Sequence, residues 1–407
     1  MGSAAFSENG IRVLPAVVAA LRQPDNAAFA VFRDNLLRTI TLARRRHIRI
    51  DIDRIRMLSI RSRRLLVGPQ RVHINIQDQC NYRCQFCFTH SALFSKASLQ
   101  RLDKEHSPSV PFWRIRDILD DAHAIGTELV SLCGAGEPLL HPRIIPVIEY
   151  ALSLGLRVQI FTNLSQGARL TDLDTAGRPL SFLVNVAAVT ASQYEAVHGV
   201  SRKIFPVVRR HIKNLIKKGH DVVLSCQIIR GNCNSIGDYI SMASGWGVKE
   251  VLFALPKLYE PEVNGLMMSA EEREHLRSAI GSLEALARAK HVRTNLSVLR
   301  GILDDAGLQQ GRGAIDHTCG NMKCFNPWFY SKVQTNGDVH ICCHDTVPVG
   351  RVTREVRFRD VFFSHRALEI AKEGSAGVDA RERQWRKCGM CRDKDRNIRV
   401  AREVLGQ

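Results

Sequence analysis

The sequence predicts an α/β protein organised around a parallel sheet. From Arg71 onward, short β-rich runs alternate with helical ones. Four helical segments end near a glycine and pass at once into such a run: Gly126, Gly155, Gly219 and Gly247. A glycine after the last helical turn relieves the left-handed backbone there. The helices between are amphipathic. One carries Ile144, Val147, Ile148, Ala151 and Leu152 on one face, and another carries Val208, Ile212, Leu215 and Ile216. Strands alternating with such helices imply parallel pairing through right-handed crossovers.

Taken in order, residues 1–68 read as an N-terminal extension of two or more helices, arginine-rich in its second half and ending at Gly68-Pro69. Six strands follow at about 71–78, 128–133, 157–162, 182–187, 221–229 and 249–254. The first, Val72-His73-Ile74-Asn75-Ile76-Gln77, alternates with period two. Residues 265–300 look helical, and the remainder holds a second group of cysteines. The expected domains are 1–68, 69–300 and 301–407.

Composition narrows the partners. A chain of 407 residues with 45% hydrophobic content can bury a sizeable core. The net charge is +18, with eleven arginines from Arg38 to Arg71 and a second basic stretch from Arg381 to Arg402. Such charge attracts phosphates, whether of metabolites, nucleic acid or anionic lipid, although a merely solvated basic surface has the same composition. Aromatic residues are sparse at 6%, which disfavours base stacking with nucleic acid. No segment approaches the ~20 apolar residues of a membrane span. Twelve cysteines without a recognisable signal peptide point to a reducing, cytoplasmic setting with thiols committed to metal.

Cys80, Cys84 and Cys87 form a C-x3-C-x2-C run at the end of the first strand. Three thiolates this close can hold three corners of an iron–sulfur cube and leave one iron open. The spacing also admits zinc, with His90 the only nearby fourth ligand. With Phe86 before the third cysteine, and with Gly134-Ala135-Gly136-Glu137-Pro138 after the second strand, the pattern resembles radical S-adenosylmethionine (SAM) enzymes.

The resemblance implies a partial (β/α)6 TIM-like barrel. It also implies a [4Fe–4S] cluster on Cys80, Cys84 and Cys87 whose open iron takes the amino and carboxylate groups of SAM. An electron then cleaves SAM to a 5′-deoxyadenosyl radical, so an electron donor such as flavodoxin or ferredoxin is expected. Phe86, Gly134, Gly136, Glu137, Asn163, Asn185 and Gln227 become the expected cofactor-binding residues. Leu164 departs from the family's usual glycine after Thr162-Asn163, and Ala187 from its frequent aspartate.

Downstream, Cys324-Phe-Asn-Pro327-Trp328, Gly337-Asp338-Val339-His340-Ile341-Cys342-Cys343 and Cys388-Gly-Met-Cys391 resemble the auxiliary-cluster module called SPASM, or its shorter form, twitch. A hairpin turning at Asn336-Gly337 is expected to bring Cys342 back towards Cys324. The resemblance assigns one auxiliary [4Fe–4S] cluster to Cys324, Cys342, Cys388 and Cys391, with Cys343 as the alternative to Cys342. Four thiolates at this spacing would also suit a zinc ribbon.

The substrate is less legible. His73, Asn75 and Gln77 share one face of the first strand and are expected to point inward to substrate, since three polar groups against a helical layer are costly. A barrel-facing thiol could return hydrogen to a substrate radical, and Cys226 and Cys319 are the candidates. Any one such cysteine is more often core filler. Without such a donor, the auxiliary cluster could take an electron. The leading expectation is oxidation or epimerisation of an anionic small molecule, sugar or nucleotide-like. A peptide maturase, an RNA-modifying enzyme and a non-catalytic cluster carrier are the alternatives.

Overall fold

The six anticipated strands are all present and lie side by side in chain order. They are β1 (Arg71–Asn75), β2 (Leu129–Cys133), β3 (Arg157–Thr162), β4 (Ser181–Asn185), β5 (Asp221–Gln227) and β6 (Glu250–Ala254), each pairing parallel with the next. The computed structural model describes residues 27–45, 51–93, 109–256 except 172, 174, 176 and 179, 265–304, 323–342, 347–377 and 394–405. A two-residue β7 (Arg293–Thr294) extends the sheet beyond β6.

On the other side, β8 (Tyr330–Val333) pairs parallel with β1, and β9 (Asp338–His340) and β10 (Gly350–Arg351) follow antiparallel. The order is β10-β9-β8-β1-β2-β3-β4-β5-β6-β7, and the ends do not meet. The barrel is therefore partial. The expected hairpin forms, with Gly337 at φ +92° in its turn. Its first strand continues the main sheet.

Helices α1 (Ala27–Arg45) and α2 (Ile52–Arg61) precede the sheet. The crossovers carry α3 (Phe112–Ala124), α4 (Ile144–Ser153), α5 (Ala191–His198), α6 (Ile204–Lys217) and α7 (Ile236–Gly245). Helices α8 (Ala270–Ala289) and α9 (Leu296–Leu303) flank β7, and α10 (Asn326–Phe329) runs straight into β8. Helices α11 (Phe358–Phe362), α12 (His365–Ala376) and α13 (Lys394–Leu405) complete the described chain. Among the described residues no helix is long and apolar enough to cross a membrane.

The four helix-ending glycines behave as anticipated. Gly126, Gly155, Gly219 and Gly247 have φ of +91°, +77°, +82° and +85°. Period-two alternation then divides the sheet into two faces. Val72, Ile74, Val130, Leu132, Ile160 and Phe182 are buried beneath the helices. His73, Asn75, Ser131, Cys133, Phe161 and Asn185 lie on the opposite, concave face.

The arginine-rich extension is partly structural. Arg38, Arg54, Arg61 and Arg63 are exposed, but Arg56 is buried, paired with Asp53 and 3.2 Å from Glu128 at the foot of β2. The Trp328 indole donates to the Arg64 carbonyl at 2.8 Å, tying the extension to the C-terminal region.

A second tie joins that region to the barrel. Arg357 donates to buried Asp121 of α3 through Nε at 3.1 Å and Nη2 at 3.0 Å, and the Arg359 amide adds a third bond at 3.3 Å. Arg357→Ala leaves a buried carboxylate short of donors and should destabilise the protein by about 1–3 kcal/mol in urea unfolding. Arg357→Lys should recover only part of this, because a single ammonium cannot reproduce the planar fork.

Candidate active site

The segment carrying Cys80, Cys84 and Cys87 leaves the C-terminal end of β1 in turns and extended stretches, with no helix or strand of its own. Parallel α/β sheets place their chemistry at this end. Backbone polar groups outside regular structure still need partners; here some come from the β2 turn and α5, while residues beyond β3 and in the hairpin hold side chains of the loop.

After β2, the Gly136 and Glu137 amides donate to the carbonyls of Gln77 at 3.1 Å and Gln79 at 2.8 Å. A Cβ at Gly134 would lie 1.9 Å from the Gln77 oxygen, and one at Gly136 would lie 2.0 Å from that of Gln79. Glycine is what lets the two loops touch. Beyond β3, Asn163 Nδ2 donates to Asn81 Oδ1 at 3.0 Å, and Asn81 donates to Ser165 at 2.8 Å. At the end of α5, the carbonyls of Val197 and His198 accept from Gln85 at 2.9 Å and Arg83 at 3.2 Å. Carbonyls in the last turn of a helix lack intrahelical partners, so the cysteine loop also completes α5. From the hairpin, Thr335 donates to buried Asp78 at 2.6 Å.

The three thiols are free and partly exposed. Burial pushes Cys80 up to about 11 and Cys84 well above its ordinary value, and negative charge on neighbouring cysteines raises both further. Cys80 Sγ accepts from the Tyr82 amide at 3.4 Å, and Cys84 Sγ lies 3.2 Å from His198 Nδ1. His90, the local candidate for a fourth zinc ligand, has its Nε2 buried with no hydrogen-bond partner among the described residues, and burial lowers its pKa. Across the concave face, Asn185 Oδ1 is buried with no hydrogen-bond partner among the described residues. Three soft donors on one loop, with an unsatisfied acceptor at the same end of the sheet, fit an iron–sulfur cluster that takes a polar ligand.

The expected cofactor residues divide by what they touch. Glu137 is turned away from the concave face. Its carboxylate accepts from Thr162 Oγ1 at 2.6 Å, the Asn163 amide at 2.7 Å and the Leu139 amide at 3.0 Å, and so latches β2 to β3. Asn163 spends its side chain on Asn81 and the Ser165 amide. Phe86 sets its ring edge against His198 at 5.8 Å. Asn185 and Gln227 stand at the C-terminal ends of β4 and β5 on the concave side. Leu164 takes φ +57°, the conformation a glycine would enter without strain.

Of the residues expected to meet substrate, His73 lies on the concave face between Phe161 and Tyr330, with ring centroids 5.4 and 5.9 Å away. Burial, with Lys332 and Arg71 nearby, lowers it to about 3, so the ring is neutral. Asn75 is held by Gln334 and by the Cys133 thiol at 3.2 Å. Gln77 is directed to its own loop, accepting from the amides of Asp78 at 3.0 Å and Gln79 at 3.2 Å.

Cys226 corrects an expectation. It shares the helix-covered face of β5 with Val222 and Leu224, beside Tyr239 and Asn232, and cannot deliver hydrogen to the concave side. Cys319, Cys343, Cys388 and Cys391 lie outside the described residues. Cys324 is buried just before α10, and Cys342 follows β9, which returns the chain towards the start of β8.

Sequence reasoning missed three residues. His198 belongs to none of the motifs described above. Cys133 is an inward thiol whose parity on β2 was readable. Lys332, in register with His73 and only 6% exposed, came into view only once β8 was seen to pair with β1.

Glu137 is raised by burial to about 7, against the pull of its three donors. A carboxyl with a raised folded pKa binds more protons folded than unfolded between 4.5 and about 7. Its contribution to stability is therefore full below 4.5 and is lost as pH rises through about 7. Urea unfolding across this range should show that component in the parent protein and not in Glu137→Gln.

Residues 74–232 match the family model described as the radical SAM superfamily, and residues 324–393 match an iron–sulfur cluster-binding domain, SPASM. The second match favours iron–sulfur over zinc for the downstream cysteines. A GTP 3′,8-cyclase of Synechocystis sp. is 26% identical over 182 residues, 44% of this chain and 51% of that protein. An S-adenosylmethionine-dependent nucleotide dehydratase of Selenomonas ruminantium is 27% identical over 94 residues, 23% of this chain and 29% of that protein. The chain thus spans about half or less of these relatives' lengths.

Among solved structures, SuiB of Streptococcus suis bound to S-adenosylmethionine superposes with a TM-score of 0.57 at 13% identity, covering 85% of this chain and 80% of that one. AdoMet-bound anSMEcpe gives 0.53 at 14% identity, covering 83% and 97%. At such identities the likeness is one of fold.

Proposed function

Since this chain is a radical SAM enzyme with a C-terminal SPASM-type iron–sulfur domain, we propose that its substrate is a phosphate-bearing, nucleotide-like small molecule held against the concave face of the sheet. Its cofactors are [4Fe–4S] clusters and S-adenosylmethionine. On this reading Cys80, Cys84 and Cys87 hold the first cluster. When bound, cluster and SAM together supply a 5′-deoxyadenosyl radical that removes a hydrogen atom from substrate, leading to oxidation or epimerisation. Cys324, Cys342, Cys388 and Cys391 hold the auxiliary cluster.

The chain's own side chains divide the remaining work. Asn185 Oδ1, buried and without a partner among the described residues, accepts from a hydroxyl or ammonium of SAM, with Gln227 beside it on β5. The Gly134–Gly136 turn brings backbone, not side chain, up to the cysteine loop. Neutral His73 offers substrate a hydrogen bond without a charge.

The observation that carries the proposal is Lys332. It is a cation in a nearly closed position on the concave face, close enough to His73 and Cys133 to act on both electrostatically. A lysine ammonium binds phosphate as a point charge. The matched relatives named for GTP and for nucleotides support the same class. The net charge of +18 would concentrate anionic substrates near the protein.

The test is anaerobic reconstitution followed by reduction with dithionite. Formation of 5′-deoxyadenosine is then measured with nucleoside triphosphates, nucleotide sugars, peptides or RNA. Stimulation by a nucleotide class supports the proposal, and stimulation by peptide or RNA alone overturns it. Iron content should be about eight per chain, falling to about four in Cys84→Ala, four for each cubane. That variant should also lose SAM cleavage. Lys332→Met should raise the KM for the stimulating nucleotide about 10- to 100-fold, the worth of a hydrogen bond to a charged group, with little change in kcat.

A further inference from the structure

We infer that His198 is a positioning residue for the electron-transfer step: it donates a hydrogen bond to the thiolate of Cys84 and so raises the reduction potential of the three-cysteine cluster. The inference rests on the reading of Cys84 as a cluster ligand.

The proton on His198 is assigned by its neighbours. Nε2 lies 2.9 Å from the Ala187 amide. A backbone N–H only donates, so Nε2 must accept and carries no hydrogen. The single proton of a neutral imidazole then resides on Nδ1, which is 3.2 Å from Cys84 Sγ. A doubly protonated ring would set two donors against each other at Ala187.

The ring cannot turn away from this arrangement. His198 is 0% exposed, with Tyr194 at 4.2 Å and the edges of Tyr82 and Phe86 each at 5.8 Å. Its own carbonyl accepts from the Arg83 amide at 3.2 Å, so backbone and side chain both grip the cysteine loop. Gly199 permits that approach, since a Cβ there would meet the Arg83 oxygen at 2.6 Å.

A reduced cluster places more negative charge on its sulfur ligands than an oxidised one. A donor aimed at a ligand sulfur therefore stabilises the reduced state more and shifts the potential upward. Exclusion of water from the ring strengthens the bond.

Two variants separate this role from packing. In His198→Gln the side-chain oxygen reaches the old Nε2 position and still accepts from Ala187, while the donor to Cys84 is lost. In His198→Asn the amide nitrogen stands near the old Nδ1 position and keeps that donor. Both are reconstituted as full-length protein. Their potentials are measured by EPR-monitored redox titration of the signal that shifts on adding SAM, which belongs to the cluster with an open iron.

With iron content equal to the parent, His198→Gln should move the reduction equilibrium about tenfold towards the oxidised form, about 59 mV for one electron. His198→Asn should stay near the parent. An unchanged potential in His198→Gln, or an equal fall in both variants, overturns the inference and leaves His198 as packing. Persistence of the SAM-responsive signal in Cys84→Ala overturns instead the ligand assignment beneath it.

Discussion

A loop that must present three thiols satisfies itself only in part. The stretch from Gln77 to Cys87 has no helix or strand; Gln77, Cys80 and Cys84 accept from some of its amides, and other groups find partners elsewhere. The β2 turn gives two amides and α5 gives two carbonyls left over by its own helix, while Asn163 and Thr335 bind the side chains of Asn81 and Asp78. The thiols thereby become fixed points in a region that would otherwise be soft. That fixity matters for a cluster gripped at only three corners.

This constraint reassigns the work done by the motif residues. Glu137 and Asn163 stand where a ligand contact was expected, yet their polar atoms are engaged by Thr162, Leu139, Asn81 and Ser165. They hold the turn that holds the cysteines. The glycines act in the same sense, since any side chain at Gly134 or Gly136 would overlap a carbonyl oxygen. Atoms still available to a ligand lie on the strand ends, at Asn185 above all.

Much of this was legible in the chain, and the failures have physical causes. Glycines at the helix ends located the crossovers because their backbone requirement is local. The face of Cys226 was also legible: Gln227 is expected at the cofactor, and period two then forces Cys226 to the other side. Leu164 shows the converse case. The chain lacks the glycine, yet the backbone keeps φ +57°, with the buried leucine and a 2.8 Å bond from its amide to Thr162 fixing the turn. No local pattern announces that β8 pairs with β1, some 250 residues away, and Lys332 stayed hidden with that pairing. The Cys84–His198 contact was hidden for the same reason, separated by 114 positions.

The β8 pairing has a further consequence for how the two halves of the chain depend on each other. The hairpin bonds to the end of β1 and to the loop after it, Gln334 with Asn75 and Thr335 with Asp78. Cys324 and Cys342 bracket that same hairpin in sequence, with α10 running from the first directly into β8. A group bound by those cysteines would clamp the hairpin, and the hairpin in turn holds the chain entering Cys80. The auxiliary region is thus part of the wall of the active face and part of the support of the cysteine loop.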